Sequence, residues 1–139
     1  MKGVLFLCTG NSCRSQMAEG IGRRYAPRGV EIWSAGVAPV GVHPLAVRVM
    51  KEAGMDISGQ TSKSVGSVPL ERIDTLITLC GYAAARCPHL GASLTRLHWP
   101  IEDPVGAAGT EEERLEAFRR TRDEIERRIR GFFHSTKVK

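Results

Sequence analysis

The sequence predicts an α/β domain in which a four-stranded parallel sheet is flanked by helices, and two observations predict it. Four short apolar runs, Gly3 to Leu7, Glu31 to Ala35, Thr75 to Leu79 and Thr95 to Trp99, read as buried strands, three of them enriched in β-branched or aromatic residues. Room for helices is left between them, and strands alternating with helices give a parallel sheet covered on both faces, a three-layer arrangement. At 139 residues the chain is long enough for one compact core, whereas two domains would each be too small to bury enough surface. One domain spanning residues 1–139 is expected.

Each element has its own signal. After the first run, Met17, Ala18, Ile21 and Tyr25 recur at helical intervals, so a helix is expected from Ser12 to Tyr25. Pro44 in a first turn and Gly54 past an end frame a second helix, with Leu45, Val49, Met50 and Ala53 on one face. A shorter helix is expected around Pro69 to Arg72. The last helix opens with Thr110 and Glu113 at capping-box spacing and turns Leu115, Phe118, Ile125, Ile129 and Phe132 inward. Its acidic start and Arg-rich end suit the helix dipole, so the basic end reads as a solvated face.

Composition narrows the function classes. A net charge of +5 fits an anionic small substrate, an acidic partner or nucleic acid. Only 6% of residues are aromatic, and the basic residues interleave with Glu and Asp, so there is no stacking platform for nucleic acid. The longest apolar run near the N-terminus, Val4 to Cys8, is too short for a membrane span or a signal peptide, and a cytoplasmic protein is expected. Four cysteines in such a chain are expected to be reduced at rest, which favours catalysis or metal ligation over a static disulfide framework.

In such folds ligands sit beyond the carboxyl ends of the strands. Cys8, Cys80 and the stretch from Trp99 to Asp103 all fall there. Cys8 ends the first run, and Thr9, Gly10, Asn11, Ser12 and Cys13 lead to Arg14 in the pattern CxxxxxR, with Ser15 following. A loop of that length wraps a tetrahedral oxyanion with inward N–H groups, and the guanidinium offers a planar fork to two oxygens. The pattern alone is weak. Its context, a strand before, Gly10 and Asn11 where a positive φ is useful, and a helix N-terminus after, makes it specific. Such surroundings favour a thiolate, so Cys8 reads as a nucleophile, the alternative being a buried strand-end cysteine.

The segment CTGNSCRSQMAEG resembles the signature of the thioredoxin-coupled arsenate reductases, which share the low-molecular-weight phosphatase-like fold. The resemblance continues in order through SAG at Ser34 to Gly36, DIS at Asp56 to Ser58, TLC at Thr78 to Cys80, CP at Cys87, and HW followed by DP at Asp103. It implies that Cys8 attacks arsenate, that Cys80 attacks Cys8 with release of arsenite, and that Cys87 takes over the disulfide for thioredoxin to reduce. Asp103 is then the general acid, held out of helix by Pro104, with Glu102 as local competitor. Thr9 to Ser15 bind the oxyanion, with Ser12 and Ser15 as candidate partners of the Cys8 sulfur and Asn11 locking the loop.

Alternatives remain at this point. A phosphomonoester phosphatase needs only Cys8, Arg14 and Asp103, and a non-catalytic arsenite- or anion-binding thiol protein needs no turnover. Zinc ligation fits the cysteine separations poorly, and none of the histidines, His43 included, has metal spacing. Cys13 reads as packing. If Gly81 to Arg86 is helical, Cys80 and Cys87 stand about 10 Å apart along the axis, too far for a disulfide, so unwinding with Gly81 as hinge is expected on oxidation. Some relatives bind potassium through positions matching Asn11, Glu19 and Ser34 plus an Asp. Here Lys63 stands in place of that Asp, and it is expected either to pair with Glu19 and replace the cation or to lie on the surface. No other cofactor and a monomeric state are expected.

Overall fold

The computed structural model describes residues 1–81, 83 and 94–138. In chain order come β1 (Gly3–Cys8), α1 (Arg14–Tyr25), β2 (Glu31–Gly36), α2 (Pro44–Glu52), short 3₁₀ turns at Val65–Ser67 and Leu70–Arg72, β3 (Thr75–Thr78), β4 (Thr95–His98), a 3₁₀ turn at Pro104–Gly106, and α3 (Glu111–Val138). The strands pair in the order β2-β1-β3-β4, every pair parallel. Each expected strand is present, its end moved by one residue. The short helix around Pro69 to Arg72 is the second 3₁₀ turn.

Residues Gly3 to Cys8 are all buried because β1 lies inside the sheet and both of its faces are covered. Val4, Phe6 and Cys8 pack with Met17, Ala18 and Ile21 of α1, Ala46, Val49 and Met50 of α2, and Leu115, Phe118, Ile125, Ile129 and Phe133 of α3. Leu5 and Leu7 point the other way, as strand alternation requires, and meet Val68, Ile73 and Ala83. One face therefore carries the three described helices, and 3₁₀ turns with Ala83 help to cover the other. Full burial of each large apolar side chain contributes about 1.5 to 3 kcal/mol.

Two inward positions differ from the sequence pattern. The i, i+4 row through Ile125 and Ile129 continues to Phe133, which is fully buried, while Phe132 is half-buried with its ring edge-on to Trp99. In α2 the fully buried residues are Ala46, Val49 and Met50, while Leu45, and Ala53 just past the helix end, are half-buried. Arg119, Arg122, Arg127 and Arg128 are engaged by Glu52, Glu112, Glu116, Asp123 and Glu124, so the basic stretch of α3 is laced with acidic partners. No described helix is long and apolar enough to cross a membrane.

The capping box forms as the spacing predicts. The Glu113 amide donates to Thr110 Oγ1 at 3.1 Å, and the Thr110 amide donates to Glu113 Oε1 at 3.0 Å. Replacing Thr110 with Ala is expected to cost about 1 kcal/mol. Differential scanning calorimetry would read this as a fall in Tm of about 3 °C.

Candidate active site

The loop between β1 and α1 keeps its shape because its carbonyls are held from outside. Thr9 O accepts from the Ala38 amide at 2.9 Å, Gly10 O from the Val40 amide at 3.0 Å, and Ser12 O from the His43 amide at 2.9 Å. Ser62 Oγ donates to Asn11 O at 2.9 Å and also reaches Gly10 O at 3.1 Å. In a trans peptide the N–H points opposite to the C=O, so outward carbonyls at 9 to 12 turn the amides of residues 10 to 13 inward. That concave row of donors is an anion-binding nest.

Asn11 makes the turn possible with φ of 45°, and Gly10 does not need a positive φ. At the end of β2, a Cβ on residue 36 would stand 2.7 Å from both Asn11 N and Thr9 O, which explains why Gly36 lies beneath the loop. Helix α1 starts at Arg14, two residues later than its periodicity suggests, because Ser12 and Cys13 still belong to the loop.

Cys8 is buried at the foot of the nest, its Sγ 2.8 Å from Ser15 Oγ. Of the two candidate serines, Ser15 makes this bond, while Ser12 contributes its carbonyl to the frame. Arg14 donates through NH1 to Ile101 O at 3.0 Å and lies 3.4 Å from Asp103 Oδ2. Its Nε is buried without a hydrogen-bond partner. A buried guanidinium N–H left unmade is costly, and an oxyanion seated in the loop would supply the missing acceptor.

Asp103 caps its own 3₁₀ turn, Oδ1 accepting from the Val105 amide at 3.0 Å, and its side chain is 49% exposed. It thus stands at the mouth, open to water on one side and to Arg14 on the other. Cys13 Sγ lies 3.8 Å from the same Oδ1. Burial first, then the negative charges of Asp103 and Cys8, push the Cys13 thiol up to about 12, so it stays protonated. Cys80, half-buried just beyond β3, has its sulfur 3.2 Å from Thr9 Oγ1, which places a second thiol at the rim of the loop. Cys87, and most of the expected unwinding segment, lie outside the described residues.

Beneath the loop, Glu19 is 3% exposed and is met at Oε1 by Lys63 Nζ at 3.3 Å and by the Ser34 hydroxyl at 2.5 Å, and at Oε2 by Arg23 at 2.6 Å. Asn11 Oδ1 already accepts from the Lys63 amide and from Gln16 Nε2. Lys63 therefore pairs with Glu19, as one of the two sequence expectations has it. With two cationic side chains on the carboxylate and the Asn11 oxygen in use, these residues do not fit a potassium ion.

Ser62 and Gln60 carry no sequence signal of their own, and SAG gives no hint that Gly36 lies beneath the loop: Ser62 and Gly36 act through long-range contacts, and Gln60 braces Gln16 through Nε2 at 2.7 Å. His43 joins the loop to α2, its Nδ1 accepting from the Leu45 amide at 3.1 Å. The Pro44 that follows it, read above as a helix start, was the available signal for this cap.

Fold and site together define a class, α/β proteins with a cysteine and an arginine at the two ends of an oxyanion-binding loop. The chain belongs to the low molecular weight phosphotyrosine protein phosphatase family, whose sequence pattern matches residues 3–139. An arsenate reductase of Halalkalibacterium halodurans is 49% identical over 136 residues, covering 98% of each chain. A solved arsenate reductase in its phosphate-binding state has a TM-score of 0.83 and 35% identity, over 97% of this chain and 98% of that one. A thioredoxin-dependent arsenate reductase of Corynebacterium glutamicum has a TM-score of 0.79 and 29% identity, over 99% of this chain and 63% of that one.

Burial, and then the nearby Arg114, lower the His43 pKa below its ordinary 6.5, with Asp103 acting weakly in the opposite sense. A histidine depressed in the folded state contributes stability that is full above its unfolded value and is lost as the pH falls through the folded one. Urea unfolding of wild type and His43→Asn is expected to show a stability difference that shrinks between about pH 7 and pH 5. A constant difference would contradict this account.

Proposed function

We propose that this chain reduces arsenate to arsenite by passing a disulfide along Cys8, Cys80 and Cys87, with thioredoxin as the reductant. The observation that carries the reading is the free thiol of Cys80, whose sulfur lies 3.2 Å from the hydroxyl of the loop residue next to Cys8. Hydrolysis of a phosphomonoester has no use for that thiol. The similarity to arsenate reductases over nearly the whole chain supports the same reading.

Arsenate enters the nest with its oxygens on the inward amides and the Arg14 guanidinium. The Cys8 thiolate attacks arsenic, an As–S bond forms, and one oxygen leaves as water with a proton from Asp103. Ser15 donates to the sulfur before attack and so keeps it aimed at the centre of the loop. The Cys80 thiolate then attacks Cys8 Sγ. The S–S bond forms as the As–S bond breaks, and the bonding pair passes to arsenic, which leaves as arsenite. Cys87 attacks Cys80 in turn, freeing Cys8 and leaving a disulfide that the dithiol of thioredoxin reduces. The protein works as a cytoplasmic monomer and needs no metal or organic cofactor.

Coupling turnover to NADPH through thioredoxin and thioredoxin reductase tests the relay. Cys8→Ser is expected to release no arsenite. Cys80→Ser and Cys87→Ser are expected to lose multiple turnover, and Cys87→Ser still to release one equivalent of arsenite. Full turnover in Cys80→Ser would sink the relay, and phosphate release from an aryl phosphate by that same variant would favour the phosphatase reading.

Because Lys63 stands against Glu19, exchanging potassium for sodium is expected to leave kcat and KM within about twofold of each other. Strong activation by potassium would contradict the role given to the ammonium.

A further inference from the structure

Five contacts run in series from Lys63 to the nucleophile. Lys63 Nζ lies 3.3 Å from Glu19 Oε1, which accepts from Ser34 Oγ at 2.5 Å. Ser34 Oγ accepts from Asn11 Nδ2 at 3.0 Å, Asn11 Nδ2 also donates to Ser15 Oγ at 2.8 Å, and Ser15 Oγ meets Cys8 Sγ at 2.8 Å. Every member except Lys63 is buried. The direction of each bond follows from chemistry. A carboxylate only accepts, so Ser34 donates to Glu19 and must itself accept from Asn11. The Asn11 oxygen is identified by the Lys63 backbone N–H, 2.7 Å away, which needs an acceptor, so the amide nitrogen faces the two serines. Ser15, already accepting from Asn11, is left with its proton for sulfur.

We propose that Lys63 is a positioning residue for Cys8, acting through this chain. Its ammonium shares Oε1 with the Ser34 hydroxyl and compensates the buried Glu19 carboxylate at that oxygen, whereas Arg23 sits on Oε2 and is 55% exposed. Without Lys63 the Oε1 end of the chain loses its counter-charge, the Ser34 and Asn11 bonds loosen, and Ser15 turns its proton away from the sulfur for part of the time. The proposal rests on Cys8 as the nucleophile and is independent of what happens to its adduct.

The test is therefore alkylation of the full chain by iodoacetamide, with the rate at Cys8 read by peptide mass mapping. In Lys63→Gln the Cys8 rate at about pH 7 is expected to fall about five- to tenfold, the scale of weakening one hydrogen bond to a charged sulfur. At about pH 10 the two rates are expected to converge. Lys63→Arg restores the neutral rate, Ser34→Ala slows it as Lys63→Gln does, and combining Ser34→Ala with Lys63→Gln adds nothing further. An unchanged Cys8 rate in Lys63→Gln, an equal slowing at both pH values, or additive effects of the two substitutions would overturn the proposal. Should Lys63→Gln not fold, an unchanged rate in Ser34→Ala overturns it alone. Loss of arsenate reduction with the Cys8 pattern intact would count against the relay and leave this inference standing.

Discussion

The buried side-chain amide of Asn11 is the interaction on which the site depends. Its oxygen accepts from the Lys63 amide and Gln16 Nε2, and its nitrogen donates to Ser15 and Ser34, so all four hydrogen-bonding positions are filled. The same residue carries the positive φ that bends the loop. A residue without the amide loses four bonds, and one unable to hold that φ loses the turn. Full satisfaction is what makes such a buried polar hub rigidifying, since each unmade bond in a low-dielectric interior is costly.

Around this hub the fold supplies three separate supports. The end of β2 gives Gly36 as a floor with no Cβ, the segment before α2 ties down three loop carbonyls, and the segment after α2 brings Ser62 and Lys63. Electrostatics follow the same layout. A buried carboxylate at Glu19 is tolerable because two cations meet it, and breaking such a pair costs more than making it gains. At the open end Asp103 and Arg14 face each other where solvent can reach, which suits the proton donor proposed above.

Much of this was legible in the sequence. Four strands, the capping box of α3 and the strand–loop–helix around Cys8 are local patterns, encoded in period, turn residues and spacing. The Lys63 pairing could also be anticipated, because a single substitution in an otherwise matching set changes the sign of a charge. What could not be read were contacts that join distant segments through one atom: Ser62 on the loop carbonyls, the missing Cβ of Gly36, the His43 amide on Ser12. Small inward shifts, Phe133 in place of Phe132 and Ala46 beside Leu45, escaped for another reason. Adjacent apolar residues on a helix lie about 100° apart, and only the partner surface decides which faces the core.

Cys13 sits inside the loop between Cys8 and the helix, and its thiol is pushed up to about 12 by burial and by the charges of Asp103 and Cys8. Only a thiolate attacks a disulfide, and a thiol displaced so far upward stays protonated at neutral pH. Cys13 thereby behaves as an insulator laid along a conductor. In the relay proposed above, Cys13 is a neighbour into which electrons do not leak, kept silent by its burial first and by the Asp103 carboxylate second.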